Sequence, residues 1–322
     1  MPIRNVNARP GRGAVAGILA ALALMAAPAV AAAASAPAVS TGSATSVTAT
    51  STYLNGSIDP QGQDTTYFFQ YGHTHSYGSQ TAVADAGSFS QVLRIAVPVL
   101  GLTPLTTYHY RLIAINATGA STGGDHTFTT TALPLTLGIT ASPNPVSFGG
   151  SATIQGTLSG TGNAGRPVEL QVSAFPFVAG FVNSGNPELT SATGAFSFPL
   201  LGLTQVTQYR VVTASSPLVV SPVSVENVAV LVTAHLAAAQ RRHYVRFYGS
   251  VTPAEAGMQI GIVRVIHGRN ILVAGTVLKA ATPAASHYVK VLRVVRGGVY
   301  KVLARITDGT HVSAYSRPIR IG

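Results

Sequence analysis

The sequence contains no cysteine, and only 9% of its residues are charged. Without a thiol, the chain has neither a cysteine nucleophile nor the ligands of an iron–sulfur cluster or a cysteine-type zinc site. Its 9 acidic residues include no close carboxylate pair, and neither a Gly-x-Ser-x-Gly motif nor a Walker-type phosphate loop occurs. These absences predict that the protein is not an enzyme and carries no cofactor.

Long apolar runs are also scarce, because only one is long enough to cross a membrane. Arg4, Arg9 and Arg12 precede the uncharged run AVAGILAALALMAAPAVAAAASA at residues 14–36, which ends in several Ala-x-Ala sites. This pattern predicts a secretory signal peptide with a signal helix over residues 1–34. The mature chain is then secreted or lies at the cell surface, and it is held at a membrane only if the signal stays uncleaved.

The mature chain has the pattern of an all-β protein. Short segments rich in Val, Ile, Thr, Tyr and Phe alternate in polarity, as in TYFFQY at 66–71, and Gly, Pro, Asn or Asp separate them. Antiparallel β-sandwiches are therefore expected. Proline-rich punctuation and an internal repeat predict three tandem domains, at residues 37–131, 132–230 and 231–322.

The repeat relates the second and third predicted domains. SATIQGTLSGTGNAGRPVELQV resembles HYVRFYGSVTPAEAGMQIGIVRV, each with a strand, a Gly, a turn, a second Gly and another strand. The spacing from the first Gly to a later Tyr is 53 positions in one copy and 51 in the other (Gly156 to Tyr209, Gly249 to Tyr300). Two sandwiches of one type are therefore predicted to follow a first of another type.

The first predicted domain resembles a fibronectin type III module over residues 45–130, of the kind found in secreted bacterial proteins. TYFFQYG suits its third strand, GLTPLTTYHYRLIAINATG its corner and sixth strand, and GGDHTFTT its last strand. The run from Leu102 to Tyr108 resembles the family's tyrosine corner, although the usual tryptophan is missing. No Arg-Gly-Asp occurs, so integrin binding is not implied. Residues 132–322 resemble bacterial Ig-like surface repeats.

Strand geometry assigns roles to the residues around the corner. Successive side chains of a strand point to opposite faces, which places Tyr108 and Tyr110 in the core and His109 on the other face. His109 is therefore predicted to be a surface or cross-strand residue without a site around it. By the repeat, Tyr209 and Tyr300 are expected at the matching structural positions.

Two histidines in YGHTHSYG are candidate metal ligands, because a His-x-His pair on a strand shares one face. The alternative, which we favour, is a polar hairpin tip without metal, and the acidic loop IDPQGQDT has the composition of a turn rather than a calcium site. A metal-dependent enzyme would need five side chains to converge: His73, His75, Asp85, Asp125 and His126.

The segment AFPFVAGFVNSGNPELT at 174–190 is longer than a tight hairpin requires. We expect Phe175, Phe177 and Phe181 to close one end of the second domain's core. The alternative is an exposed aromatic loop that contacts a partner or a sugar ring. A carbohydrate-binding accessory module would need such rings, or Tyr77, at the surface.

Positive charge is concentrated in the third predicted domain. Residues 37–230 hold four Lys or Arg against seven acidic residues, whereas residues 231–322 hold thirteen against two. A basic face on a secreted domain suits an anionic envelope polymer or acidic polysaccharide, while the alternative is a solvated face that keeps the chain soluble. Nucleic acid is less favoured because no base-stacking platform accompanies the charge. The predicted polyanion-binding residues are Arg241, Arg242, Arg246, Arg264, Arg269, Lys290, Arg293, Arg296, Lys301 and Arg305.

Together these patterns predict a non-catalytic secreted or cell-surface adhesion protein. Its third domain would hold an anionic envelope component, and its first two domains would project outward or engage a protein partner. A carbohydrate-binding accessory protein is the alternative, followed by a metal-dependent enzyme.

Overall fold

The computed structural model describes residues 35–322, and all regular secondary structure in them is β-strand. The all-β prediction is confirmed. The predicted signal peptide and its helix, residues 1–34, lie outside the described residues. Between residues 35 and 322 there is no helix with the length and hydropathy needed to span a membrane.

The first nine strands form the first sandwich. One sheet has the order β1-β2-β6, and the other has the order β4-β3-β7-β8, with β5 also on β3 and β9 also on β7. The strands are β1 Ala38–Thr41, β2 Ser51–Asp59, β3 Thr65–Gly72, β4 Ser79–Gln80, β5 Ala84–Gly87, β6 Leu93–Leu100, β7 Thr107–Asn116, β8 Gly119–Thr122 and β9 His126–Thr129.

The next ten strands form the middle sandwich. Its sheets have the orders β10-β12-β16 and β14-β13-β17-β18, with β15 also on β13, while β11 and β19 form a short parallel pair. The strands are β10 Thr136–Ser142, β11 Val146–Ser147, β12 Gly150–Ser159, β13 Pro167–Ala174, β14 Val182–Asn183, β15 Glu188–Leu189, β16 Ala195–Leu203, β17 Thr207–Thr213, β18 Ser224–Glu226 and β19 Val228–Ala229.

The remaining ten strands form the last sandwich. Its sheets have the orders β20-β22-β26-β25, with β21 also on β22, and β24-β23-β27-β28, with β29 also on β27. The strands are β20 Leu231–Val232, β21 His235–Ala238, β22 Tyr244–Thr252, β23 Gln259–Ile266, β24 Arg269–Val277, β25 Lys279–Thr282, β26 Ala285–Arg293, β27 Val299–Arg305, β28 Ala314–Tyr315 and β29 Ile319–Arg320.

All three sandwiches share one arrangement of their long strands. The pairs β2–β6, β12–β16 and β22–β26 build one sheet, and the pairs β3–β7, β13–β17 and β23–β27 build the other. The difference that the sequence indicates between the first sandwich and the later two therefore does not extend to strand order.

The cores lie between the two sheets, as the alternating strand pattern requires. In the middle sandwich, Ile154 on β12 faces a core shared with Val211 on β17, and both are fully buried. In the last sandwich, Phe247 on β22 and Val302 on β27 occupy the matching places. Strands such as β12 and β27 thus bury one face and leave their alternate residues toward solvent.

The repeat of the sequence is visible in the backbone. Gly165 precedes β13 and Gly257 precedes β23, at φ angles of +64° and +88°, where a side chain would strain the backbone. Gly156 lies inside β12 and Gly249 inside β22, where an added Cβ would meet a neighbouring backbone carbonyl. Each pair of glycines that the repeat aligns is therefore needed for the same steric reason in both sandwiches.

Tyrosine corners occur in the first and last sandwiches. The Tyr108 hydroxyl accepts a hydrogen bond from the backbone N–H of Thr103 at 3.0 Å, five residues upstream. The Tyr300 hydroxyl accepts the same bond from Val295, also at 3.0 Å. Tyr209 is buried at the matching place in β17, and the described residues give it no such backbone bond.

The chain divides into two compact units. Of the described residues, one unit comprises 35–43, 54–97 and 109–126, and the other comprises 44–53, 98–108 and 127–322. The middle and last sandwiches thus fall into one unit. The boundaries predicted at 131/132 and 230/231 stay predictions.

Candidate functional site

Arginine side chains gather at one end of the last sandwich, which we call the arginine end. It combines two loops, one hairpin and the ends of several strands. Its members are Arg241, Arg242, Arg264, Arg269, Arg293, Arg296 and Arg320.

The β20-β22-β26 sheet brings four of these arginines together. Arg293 ends β26 and pairs with Tyr244, the first residue of β22. Arg241 and Arg242 lie in the loop before Tyr244, and the Tyr244 N–H donates to the Arg241 carbonyl at 3.1 Å. The loop that leaves β26 contains Arg296 and leads directly to β27 in the opposite sheet.

The opposite sheet contributes the other three arginines at the same end. Arg269 opens β24 beside the β23–β24 turn, and Arg264 on β23 pairs with Tyr300 near the start of β27. Arg320 on β29 pairs with Val299, the first residue of β27. Because the 294–298 loop joins β26 to β27 here, both sheets present their arginines at one end.

The arginine end is exposed and carries uncompensated charge. Six of its arginines are exposed, and Arg264 is half-buried with its Nε buried and without a hydrogen-bond acceptor. The only acidic residues after position 231, Glu255 and Asp308, lie before β23 and after β27, at the opposite end. Within residues 35–322 none of these arginines forms an ion pair with a carboxylate.

The other four predicted basic residues lie along the sheets. Arg246 is exposed on the outer face of β22, with its guanidinium 5.5 Å from the Tyr248 ring. Lys301 and Arg305 are on the outer face of β27, as its alternation predicts. Lys290 is different, because it pairs with the core residue Phe247 and is half-buried on the inner side of its sheet.

The three phenylalanines of segment 174–190 are half-buried but are not part of the middle sandwich's core. The Phe175 and Phe177 rings meet edge-to-face with centroids 5.6 Å apart, and Phe175 also lies against Gly309. The Phe181 ring lies under the Arg210 guanidinium at 4.2 Å. Each ring therefore has a partner within the chain, which leaves little free aromatic surface.

A second polar cluster surrounds His109, contrary to the prediction that no site surrounds it. Asp125 Oδ2 lies 2.8 Å from His109 Nδ1 and 3.5 Å from His75 Nε2. The two imidazole rings are in contact, with centroids 4.1 Å apart. The pairing of His109 with Gly72, at the end of β3, places the loop that carries His75 beside it.

Hydrogen bonds fix the carboxylate of this cluster. Tyr77 donates its hydroxyl to Asp125 Oδ1 at 2.9 Å, and the Arg111 guanidinium lies 4.5 Å from the Tyr77 ring. Burial alone would raise the pKa of Asp125, but hydrogen bonds from His109 and Tyr77 outweigh it and lower that pKa. Burial, followed by the bond to Asp125, raises the pKa of Tyr77.

The cluster offers one ligand atom each from His75, His109 and Asp125, a set that can hold a divalent metal ion. It differs from the metal set considered from the sequence. Asp85 accepts a bond from the Gly87 N–H at 2.6 Å as part of a turn, and the His126 ring lies beside Tyr110. His75 and Asp125 meet as a metal-dependent enzyme would need, but their third partner is His109.

A groove of about 750 Å³ crosses the outer face of the β10-β12-β16 sheet. Small, polar and apolar residues line it, and none of them has a titratable side chain: Gly138, Ile139, Thr140, Gln155, Gly156, Thr157, Ala195, Phe196 and Ser197. The groove offers hydrogen bonds to a ligand but no acid, base or nucleophile of catalytic strength.

No protein-family model and no curated protein matches the chain. Among solved structures, the sensor domain of the anti-sigma factor RsgI4 from Pseudobacteroides cellulosolvens is 24% identical, with a TM-score of 0.22, and the match covers 30% of this chain and 92% of that one.

Two further matches extend over most of the chain. A tetra-tandem repeat from the extending region of a large adhesion protein is 15% identical with a TM-score of 0.27, covering 89% of this chain and 74% of that one. The FN1–FN3 domains of chicken CNTN1 are 16% identical with a TM-score of 0.27, covering 89% and 99%. At such identities the chain's own residues must carry any functional inference.

Proposed function

We propose that this protein is a non-catalytic binding protein of the cell surface or the extracellular space, and that its arginine end holds an anionic polymer. An envelope polymer or acidic polysaccharide that carries phosphate, carboxylate or sulfate groups is the expected ligand. The proposed location outside the cytoplasm rests on the predicted signal peptide.

One observation carries the proposal: seven arginines without carboxylate partners meet at one end of the last sandwich. Arginine presents a planar fork of donors that matches phosphate and carboxylate groups in two-point contacts. A solvated face that only maintains solubility would carry both charge signs in a mixture. The separation of the arginines from the acidic residues therefore favours binding of an anionic ligand over a role in solubility alone.

The carbohydrate-binding alternative has weaker support. It requires free aromatic faces, but Phe175 and Phe181 are occupied by intramolecular contacts, and the Tyr77 ring lies beneath Arg111. A protein partner for the first two sandwiches remains part of the proposal, with no particular surface assigned to it.

Retention of the full-length secreted chain on purified cell envelope, and on immobilised dextran sulfate as a defined polyanion, tests the proposal across a salt series. One variant replaces four exposed members of the arginine end by Gln: Arg241, Arg242, Arg293 and Arg296. A matched control removes four exposed positive charges elsewhere on the last sandwich: Arg246, Lys279, Arg305 and Arg317.

We expect the first variant to bind at least about tenfold more weakly and to show a smaller salt dependence, because fewer charge contacts are broken by added ions. The control should change binding by no more than about threefold. Equal losses in both variants would show that only net charge matters, and binding that ignores salt would refute the polyanion proposal altogether.

A further inference from the structure

Three ionisable side chains converge in the last sandwich, at the end opposite to the arginine end. His311 Nδ1 lies 2.9 Å from Glu255 Oε1 and 3.4 Å from Asp308 Oδ2. The side chains of His311 and Glu255 are 8% and 7% exposed, while that of Asp308 is 25% exposed. The cluster is therefore buried on one side and reachable by solvent on the other.

The second nitrogen of His311 is also engaged. Its Nε2 lies 2.8 Å from the backbone carbonyl oxygen of Thr204, which belongs to the loop between β16 and β17 of the middle sandwich. A carbonyl can only accept, so Nε2 must carry the proton and donate it. Both atoms near Nδ1 are carboxylate oxygens. A neutral ring beside two ionised carboxylates would thus point a lone pair at two acceptors, so either a proton or a metal ion must lie between Nδ1 and the carboxylates.

We propose that His311 Nδ1, Glu255 and Asp308 form a binding site for a divalent transition-metal ion such as zinc. In a four-coordinate zinc site with bonds of 2.0–2.2 Å, neighbouring ligand atoms lie about 3.4 Å apart. The separation of 3.4 Å between Nδ1 and Asp308 Oδ2 matches this value, and the separation of 2.9 Å to Glu255 Oε1 would open by about 0.5 Å on metal binding. All three ligand atoms lie within 4.8 Å of one another. A water molecule on the exposed Asp308 side would complete the coordination.

The surroundings of the ligands are those of a metal site. A metal-bound histidine commonly donates its other N–H to a backbone carbonyl, which fixes the ring's orientation, and the Thr204 carbonyl supplies this contact. Asp308 Oδ1 accepts the backbone N–H groups of Thr310 and His311, at 2.9 and 3.1 Å. These bonds hold its other oxygen toward Nδ1.

Charge balance favours a metal over a proton in this position. A protonated imidazole beside two carboxylates leaves one negative charge, whereas a divalent ion with a neutral imidazole leaves none. Two carboxylates this close to one another and largely shielded from water are costly without a cation.

The site lies at a junction within one compact unit. The Val206 N–H donates to the Thr310 carbonyl at 2.8 Å, and the Phe148 ring lies 5.7 Å from the His311 ring. A metal that fixes His311 would therefore also fix the loop that the last sandwich presents to the middle one.

Zinc binding by the untagged full-length secreted chain, stripped of metal by a chelator, tests this site. Calorimetric titration at pH 7.5 would be done in a His109→Ala background, because the cluster of His75, His109 and Asp125 offers a second set of ligands. We expect one zinc ion per chain and a thermal transition raised by several degrees at saturation. Zinc should not bind detectably after His311→Ala.

The variant Asp308→Asn is expected to fold normally, because asparagine keeps the oxygen that accepts the two backbone N–H groups, and it therefore separates loss of metal binding from misfolding. It should retain the wild-type circular dichroism and weaken zinc binding by about tenfold or more. No zinc uptake in the His109→Ala background would overturn the proposal and leave a proton as the cation. Unchanged stoichiometry after His311→Ala, or uptake of calcium in place of zinc, would overturn it as well.

Discussion

Glu226 makes the stability of the middle sandwich depend on pH. Its side chain is fully buried on β18, opposite Thr207 and close to Tyr209, and neither carboxylate oxygen has a hydrogen-bond partner among the described residues. Burial raises the pKa of Glu226 from 4.5 to about 7. The nearby backbone N–H of Val146 lowers this pKa in part, although its hydrogen bond goes to the Asn227 carbonyl.

The loss in the free energy of unfolding follows from the pKa of Glu226 in the folded chain and in the unfolded chain. The folded chain holds the proton up to about pH 7, whereas the unfolded chain releases it near 4.5. Between these values the folded state binds more protons, so the free energy of unfolding falls as the pH rises. At 1.36 kcal/mol per pH unit, the loss is about 3 kcal/mol above pH 8, of which roughly 2 to 3 kcal/mol appears between pH 5 and pH 8.

The variant Glu226→Gln isolates this contribution, because glutamine has nearly the same shape and does not ionise. We expect it to exceed the wild-type free energy of unfolding by about 2 to 3 kcal/mol at pH 8 and to match it within about 1 kcal/mol at pH 5. Urea titrations followed by circular dichroism at both pH values measure this difference, and other titrating groups cancel in the comparison.

The exposed Glu188 on β15 provides the matched control, since Glu188→Gln should change nothing at either pH. If the Glu226→Gln variant and the wild type were equally stable at pH 8, the carboxylate would not be losing solvation on folding. Burial would then not be the cause of a raised pKa at Glu226.

Two further predictions concern the last sandwich. Tyr300→Phe removes the acceptor of the Val295 N–H and should lower the free energy of unfolding by about 1 to 2 kcal/mol, whereas Tyr315→Phe, at an exposed ring, should change it little in the same urea titration. Gly249→Ala would press a methyl group against a backbone carbonyl and should cost at least about 2 kcal/mol, while Gly275→Ala, whose nearest contact is 3.6 Å away, should be tolerated in thermal melts.

The fold is largely predictable because it depends on local patterns. The alternation that puts Tyr300 and Val302 inside and Lys301 and Arg305 outside is a property of any strand with one buried face. The tyrosine corner likewise depends on residues only five positions apart. Strand order is harder to predict from the sequence. The common arrangement of all three sandwiches depends on long-range strand pairing, which the Gly and Pro residues between the strands do not specify.

The clusters escape prediction because distant segments build them. Glu255 and His311 are 56 positions apart and meet Thr204 from another sandwich, and no spacing rule connects loops of that separation. Strand alternation places His109 correctly on the face opposite the core, but it cannot reveal that two loops bring His75 and Asp125 to that face. The one feature of the sequence that indicates such a cluster is the presence of only two acidic residues, Glu255 and Asp308, in the otherwise basic last sandwich.

The positions of the two acidic residues also determine how charge is distributed over the last sandwich. Its net charge of +11, from thirteen basic and two acidic residues, would be partly offset at the arginine end if Glu255 and Asp308 lay among the arginines. Instead, both acids face His311 at the junction with the middle sandwich, where they cannot neutralise a guanidinium. The two proposals are thus linked through charge placement but independent in their tests, since zinc uptake depends on His311 and polyanion binding on the arginine end. Acidic residues at the junction leave the opposite end of the same sandwich with arginine alone, and this separation of charge favours the proposed binding of an anionic polymer.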